Sequence, residues 1–229
     1  PTQPPATQSA SSAVTDNGCK QYADCKAQCP EQSTAVREPN KITCTNDKGA
    51  IHGERRLFHD DGSRWMVQEW RDNKRDGKTR VWSPTGHKRM EQWHKNGQET
   101  GDFIEWHENG QMASQCKNIE EQSIQCEEWY PNGQRTRLTT KKDGKKHGIE
   151  TGWLENGVKW REQNYTNGIA EGLSRTWHPN GTQKSEASYK QGKLTGLLSL
   201  YHPNGQKKSE AQYKEGQQLS QTCWDDKGQ

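Results

Sequence analysis

An aromatic residue followed four positions later by glycine recurs along the chain every 23 or 24 residues. Self-similarity at a fixed period of this length is typical of architectures in which one supersecondary unit stacks on the next. The pattern therefore predicts a repeat protein with eight copies of one unit. The glycines are Gly62, Gly86, Gly110, Gly133, Gly157, Gly181, Gly205 and Gly228. The aromatic residues, which we expect to be structural, are Phe58, Trp82, Trp106, Trp129, Trp153, Trp177, Tyr201 and Trp224.

The sequence of one copy predicts two antiparallel strands. In the clearest copy a strand runs into Trp177, turns at the Pro-Asn-Gly that ends in Gly181, and returns through Tyr189. Glycine in such a turn supplies the positive φ that a tight hairpin requires. A second glycine lies nine residues before the first in six copies, and the other two copies have Ile124 and Leu219 there. Consecutive hairpins of this kind predict a long meander in which each copy contacts only its neighbours.

A second set of aromatic residues lies on the returning strands. We expect stacked copies to build two parallel aromatic rows that hold the sheet together. This second row consists of Trp70, Trp93, Tyr165, Tyr189 and Tyr213.

The composition is unusual for a folded chain. Of the 229 residues only 26% are hydrophobic, and the mean hydropathy is −1.39. Such values suggest disorder, but regularly placed tryptophan and tyrosine can order a thin sheet. We therefore predict an all-β fold, an elongated antiparallel β-meander of tandem hairpin repeats of about 24 residues. The repeats span 43–229, after a flexible linker over 1–17 and a small cysteine-rich cap over 18–42.

Cys116 and Cys126 flank the segment that lacks its turn glycine, on two strands predicted to be neighbours. We expect a disulfide between them, across this hairpin, to replace the missing turn chemistry. A structural staple is favoured over a redox-active pair because the C-x-x-C spacing is absent.

The remaining cysteines are concentrated at the N-terminus. We expect two disulfides to pin the cap onto the first strand, with at least one bridge to Cys44. Zinc binding is less favoured because zinc sites use two C-x2-4-C units, often with His, and only Cys25 and Cys29 approach this spacing. Cys223 has no partner in this scheme, so either it is unpaired or the cysteines pair in a different combination. The N-terminal cluster consists of Cys19, Cys25, Cys29 and Cys44.

The N-terminal tract and the cysteines together favour an oxidising compartment. Residues 1–17 are rich in Pro, Ser, Thr, Ala and Gln, which is typical of the tether of an exported protein. Seven cysteines in so polar a chain agree with a disulfide-bonded protein. We expect a periplasmic, cell-envelope or secreted location, with membrane tethering through a removed N-terminal segment.

Charge and motifs indicate no catalysis, cofactor or metal. The formal net charge is +3, and both signs are interleaved, without a nucleic-acid-binding signature. None of the hydrolase, phosphate-loop or zinc-protease motifs is present. Histidines follow the first aromatic in four copies, but equivalent residues two strands apart are roughly 9–10 Å apart, too far to share one ion. These histidines are His59, His107, His178 and His202.

The repeat pattern Gly-x4-(Trp/Tyr)-x2-Asn-Gly, best seen in residues 148–216, resembles the bacterial variant of the MORN repeat. The resemblance covers residues 43–228 and implies an elongated β-meander with a binding or scaffolding role. Some bacterial members resemble antitoxin or immunity proteins that neutralise a toxin by binding it. The cysteine-rich cap departs from the simple pattern and favours an envelope location.

Residues that depart from the repeat are the candidates for binding. Trp65 and Trp160 both lie three residues after their glycines, where other copies have small or charged residues. The leading hypothesis is an immunity protein that binds a secreted toxin. The alternatives are a carbohydrate or cell-wall binding module that uses exposed tryptophan, and a structural scaffold. The candidate partner-binding residues are Trp65, Phe103, Tyr130 and Trp160.

Overall fold

The computed structural model describes residues 29–120 and 122–228. The predicted linker over 1–17 and the cap cysteines Cys19 and Cys25 lie outside the described residues. The part of the predicted cap that is described, 29–42, contains the first strand and the start of the second.

The described residues form 18 strands in one open antiparallel sheet, which confirms the predicted all-β meander. Each strand pairs with the next one along the chain, except that β10 pairs with both the two-residue β11 and β12. The strands are β1 (Ser33–Glu38), β2 (Lys41–Asn46), β3 (Ile51–Phe58), β4 (Arg64–Arg71), β5 (Lys74–Trp82), β6 (Lys88–Lys95), β7 (Gln98–Trp106), β8 (Met112–Glu120), β9 (Ser123–Trp129), β10 (Arg135–Lys142), β11 (Lys145–Lys146), β12 (Gly148–Trp153), β13 (Lys159–Thr166), β14 (Ile169–Trp177), β15 (Gln183–Lys190), β16 (Lys193–Tyr201), β17 (Lys207–Lys214) and β18 (Gln217–Cys223).

Two kinds of turn connect the strands. At the Asn-Gly turn, Gly181 has a φ of 85° and donates its N–H to the carbonyl of His178 at 2.9 Å. At the other end of the copy, Gln191 and Gly192 have φ values of 50° and 77°. Positive φ at both central residues defines a type I′ hairpin, whose twist matches the flanking strands.

Strand alternation places the two aromatic rows on opposite faces of the sheet. The first row, such as Trp177, lies on what we call the tryptophan face. Tyr189 lies opposite Gly172 on the other face, the tyrosine face. Trp93 is shifted by one residue onto the tryptophan face, and His94 takes its place opposite Gly77. The one-residue offset in the sequence therefore changes the face.

Cations connect successive copies on the tryptophan face. Two residues after the turn glycine, a Lys or Arg lies over the first-row aromatic ring of the next copy, a contact worth about 0.5–1 kcal/mol when exposed. The pairs are Arg64 with Trp82, Lys88 with Trp106, Arg135 with Trp153, Lys159 with Trp177, and Lys207 with Trp224, at 4.0–5.7 Å from the ring centroid.

Histidines form a second connection between copies. His178 donates from Nε2 to the carbonyl of Tyr201, the first-row aromatic of the next copy, at 2.9 Å. This bond gives the histidine row a structural role. Equivalent bonds join His59 to Trp82, His107 to Trp129 and His202 to Trp224.

Two of the predicted disulfide connections are present. Cys116 and Cys126 lie directly opposite each other on β8 and β9. Cys29 is bonded to Cys44, which is buried in β2. Cys223 is a free, exposed thiol in β18.

Candidate functional site

Three aliphatic side chains form a row on the tryptophan face of the C-terminal repeats. Ile149, Leu173 and Leu197 lie on β12, β14 and β16 and are 57%, 39% and 50% exposed. Each lies one residue after the second glycine, so neighbours are two strands, or roughly 9.6 Å, apart. Sequence reasoning missed this row. In the preceding copies the same position holds Glu54, Lys78, Asp102 and Gln125.

The residues that pair with these aliphatic side chains on the neighbouring strands are uncharged. Asn164 pairs with Ile149, and Ser188 pairs with Leu173. Beyond them, Gln212 pairs with Leu197. We call the six residues together the aliphatic strip. It crosses five strand intervals, or roughly 24 Å, and none of its six residues is charged.

Ion pairs border the aliphatic strip on the side of the first-row aromatics. Glu162 accepts from Lys159 at 2.5 Å, and Glu186 accepts from Arg175 at 2.7 Å. Glu210 pairs with a lysine of its own copy in the same manner. Because each carboxylate has a cation beside it, this border carries polar groups without a net charge.

Trp65 and Trp160 are bulge residues. The pairing of β3 with β4 and of β12 with β13 shifts at these positions, so neither residue has a partner directly across the ladder. Both side chains are 40% exposed. The bulge explains why other copies accept small or charged residues in this position.

The indole of Trp160 has a specific neighbour. A Cβ added to Gly152 would lie 2.7 Å from Trp160 Nε1, so the ring covers the glycine on the tyrosine face. In the two adjoining copies the position of Gly152 is taken by Glu128 and Thr176. Trp160 therefore has a packing role in addition to its exposed surface.

The structure does not bring the four predicted aromatic residues together. Trp65 on β4 and Trp160 on β13 are separated by eight strand intervals, roughly 38 Å. Half-buried Phe103 pairs with Cys116 beside the disulfide. Tyr130 occupies the histidine position of its copy and donates its hydroxyl to the carbonyl of Trp153 at 3.2 Å, so this residue connects copies.

Two carboxylates are held ionised by lysines. Burial would raise the pKa of Glu91, but hydrogen bonds from Lys88 and Lys78 outweigh it and lower the pKa. Burial would likewise raise the pKa of Glu150, and hydrogen bonding to Lys146 reverses the shift. The lysines form ion pairs with both carboxylates, and these structural ion pairs are the reason that the two pKa values are lowered.

His94 is the most distinctive titratable group. It is 3% exposed, and both of its ring nitrogens are buried. Burial lowers its pKa, and the nearby charge of Arg75 lowers it further, while Glu99 opposes the shift. The neutral imidazole fits the position that tyrosine holds in other copies.

Within residues 29–120 and 122–228, no group of three His, Cys, Asp or Glu side chains is placed to hold a metal ion. No helix of the described chain is long and apolar enough to cross a membrane.

Residues 99–118, 146–167, 170–191 and 194–215 match the model of the MORN repeat variant. Such repeats generally mediate binding to proteins or membranes. The aliphatic side chains of the strip, Ile149, Leu173 and Leu197, lie in the last three of the matched segments. No curated protein matches the chain.

Proposed function

We propose that this chain is a non-enzymatic protein of the cell envelope that binds another protein through its MORN-repeat sheet. We further propose an immunity-type role, in which it neutralises a secreted toxin by direct binding. The aliphatic strip carries this proposal, because exposed aliphatic side chains recur in three successive copies at a position where the four preceding copies have polar residues, three of them charged. Exposed apolar side chains grouped on one face of a soluble protein are typical of interaction sites, and here only uncharged side chains such as Asn164 and Ser188 lie between them on the intervening strands.

The chemistry of the strip supports a protein partner. The cores of protein interfaces are depleted of charged residues and surrounded by polar ones, as Leu173 is by Asn164 and the Arg175–Glu186 pair. The alternative of a carbohydrate ligand needs open aromatic platforms. In the first row, the ring of Trp177 already carries Lys159 at 5.3 Å, which leaves Trp65 and Trp160 as the aromatic residues for that alternative.

The disulfides support the compartment. Two intramolecular disulfides, Cys29–Cys44 and Cys116–Cys126, are compatible with an oxidising extracytoplasmic environment. A partner met there would be a secreted or surface protein.

The test begins with affinity capture of envelope and secreted proteins by the purified chain. The captured protein is then titrated against a strip variant, Leu173→Lys with Leu197→Lys, which copies the natural Lys78 at the same position. We expect the affinity to fall by at least 10-fold, as truncation or charging of an interface core does. Val36→Lys, which charges a 43%-exposed aliphatic residue on β1, is the matched control and retains binding.

The immunity role needs a second readout. The captured protein, expressed alone in the envelope, is expected to stop growth, and co-expression of the wild-type chain restores growth while the strip variant does not. A captured protein without toxicity contradicts the immunity role but leaves protein binding intact. Capture of glycan alone, with no loss in the strip variant, contradicts the proposal and favours the carbohydrate alternative. The absence of any specific ligand favours a scaffold.

A further inference from the structure

The last strand of the sheet has an open edge. β18 pairs with β17, and no other strand of the described chain has a pairing register with it, since β2 pairs with β1 and β3. All seven of its residues are exposed, and Leu219 is 61% exposed. An open edge presents unpaired backbone N–H and C=O groups that another strand can bind.

The repeat shows what kind of strand this edge accepts. In the preceding copy the equivalent segment, Gly196–Tyr201 of β16, pairs along its far side with the antiparallel strand β17. The repeat period maps this segment onto residues 219–224. The edge of β18 is therefore an unused copy of a surface that binds an antiparallel strand elsewhere in the sheet.

β18 lacks the features that usually prevent such pairing. Its sequence, QQLSQTC, contains no charged residue and no proline, whereas natural edge strands carry charges or proline to block association. β1, the first strand of the sheet, carries Arg37 and Glu38. A second uncharged strand therefore meets no like charge at β18.

We propose that β18 pairs antiparallel with β18 of a second copy of this chain, about a two-fold axis through Gln221. In this register Leu219 faces Cys223 of the second copy, Ser220 faces Thr222, and the two Gln221 side chains face each other. Alternation places Gln221 and Cys223 on one face, and Leu219 is the bulge residue between Gln218 and Ser220, without a partner on β17. Each pair then matches in chemistry, with an apolar side chain against a thiol, hydroxyl against hydroxyl, and amide against amide.

Sedimentation equilibrium under reducing conditions tests the association. The full chain is expected to reach twice its monomer mass of 26.2 kDa as its concentration rises. Gln221→Lys places two like charges at the axis and is expected to shift the midpoint of dimerisation at least 10-fold upward. The matched control is Gln98→Lys, at an exposed residue of β7, which leaves the midpoint unchanged. A chain that stays monomeric up to its solubility limit overturns the proposal, as does an unchanged midpoint in folded Gln221→Lys.

Disulfide trapping tests the register independently. Leu219→Cys places a new thiol opposite native Cys223 of the second copy, so mild oxidation is expected to give a covalent dimer on a non-reducing gel. Ser220→Cys, which faces Thr222, is expected to cross-link much less. Cys223→Ser is expected to remain a dimer by sedimentation, because the strand provides the pairing. Loss of the dimer in that variant, or preferential cross-linking of Ser220→Cys, overturns the proposal.

Discussion

Truncation of a first-row aromatic tests whether that row holds the repeats together. Trp82 is 5% exposed, and the Arg64 guanidinium lies 4.0 Å from its ring centroid. A tryptophan buries roughly 150–250 Å², which at about 25 cal/mol/Å² corresponds to roughly 4–6 kcal/mol as an upper value. Since Trp→Ala substitutions in cores cost about 3–5 kcal/mol, we expect Trp82→Ala to lower the free energy of unfolding by about 4 kcal/mol.

Urea unfolding followed by far-ultraviolet circular dichroism measures this loss. The control is Trp160→Lys, since this tryptophan is 40% exposed at a bulge. There the aliphatic part of lysine can cover Gly152, so we expect a loss below about 1.5 kcal/mol, within the range of ordinary substitutions. If Trp82→Ala costs no more than Trp160→Lys, the first row is not the structural core and the reasoning fails.

Three further predictions concern single features of the sheet. Because the pKa of His94 is lowered in the folded chain, the unfolded chain binds the proton more readily. The contribution of this group to stability is therefore full above the unfolded pKa of about 6.5 and is lost as the pH falls below it. His94→Tyr is expected to reduce this loss, as measured by unfolding at a series of pH values. Gly152→Ala is expected to lower the free energy of unfolding by about 1–3 kcal/mol because the new Cβ clashes with the Trp160 indole. In the Trp160→Lys background the same substitution is expected to cost much less, which a double-mutant cycle measures. Replacement of Cys116 and Cys126 by Ser opens a loop of sequence separation 10 and is expected to cost about 2.5 kcal/mol in thermal unfolding.

Each of these predictions has a result that contradicts it. An unchanged pH profile in His94→Tyr shows that the imidazole is not the titrating group. Equal costs of Gly152→Ala in both backgrounds show that the indole does not cover the glycine. Unaltered stability of the double Cys→Ser variant shows that the disulfide adds nothing to the hairpin.

The positions of the turns, and with them the length of each hairpin, were predictable because local residues determine them. A glycine with positive φ, as at Gly181 and Gly192, is a requirement of the turn itself and recurs wherever the turn recurs. The disulfide between Cys116 and Cys126 was predictable for the same reason, because neighbouring strands of a hairpin lie side by side.

The faces of the sheet were harder to predict because they depend on register. Irregular pairing, such as the shift between Glu186 and Ser188 in β15, has to be located before alternation can be followed across strands. Trp93, grouped with the second row by sequence, lies on the tryptophan face because it comes one residue earlier in its copy, and His94 takes its place opposite Gly77.

Two features of the candidate site had a signal in the sequence. Tyr130 directly follows the first aromatic, in the position that holds histidine in four other copies, which points to its bond between copies. Comparison of the residue after each second glycine reveals Ile149, Leu173 and Leu197 as a set. Their exposure, however, depends on the side chains of the neighbouring strands, and these cannot be identified from the sequence of one copy alone.

Hydroxyl-radical footprinting of the complex tests the binding surface most directly. The side chains of Ile149, Leu173 and Leu197 are exposed in the free chain and are expected to be oxidised readily there, then to be protected when the captured protein is bound. Val36, exposed on β1, is the internal reference and is expected to react equally in both states. Unchanged oxidation of the three strip residues in a saturated complex would contradict the account.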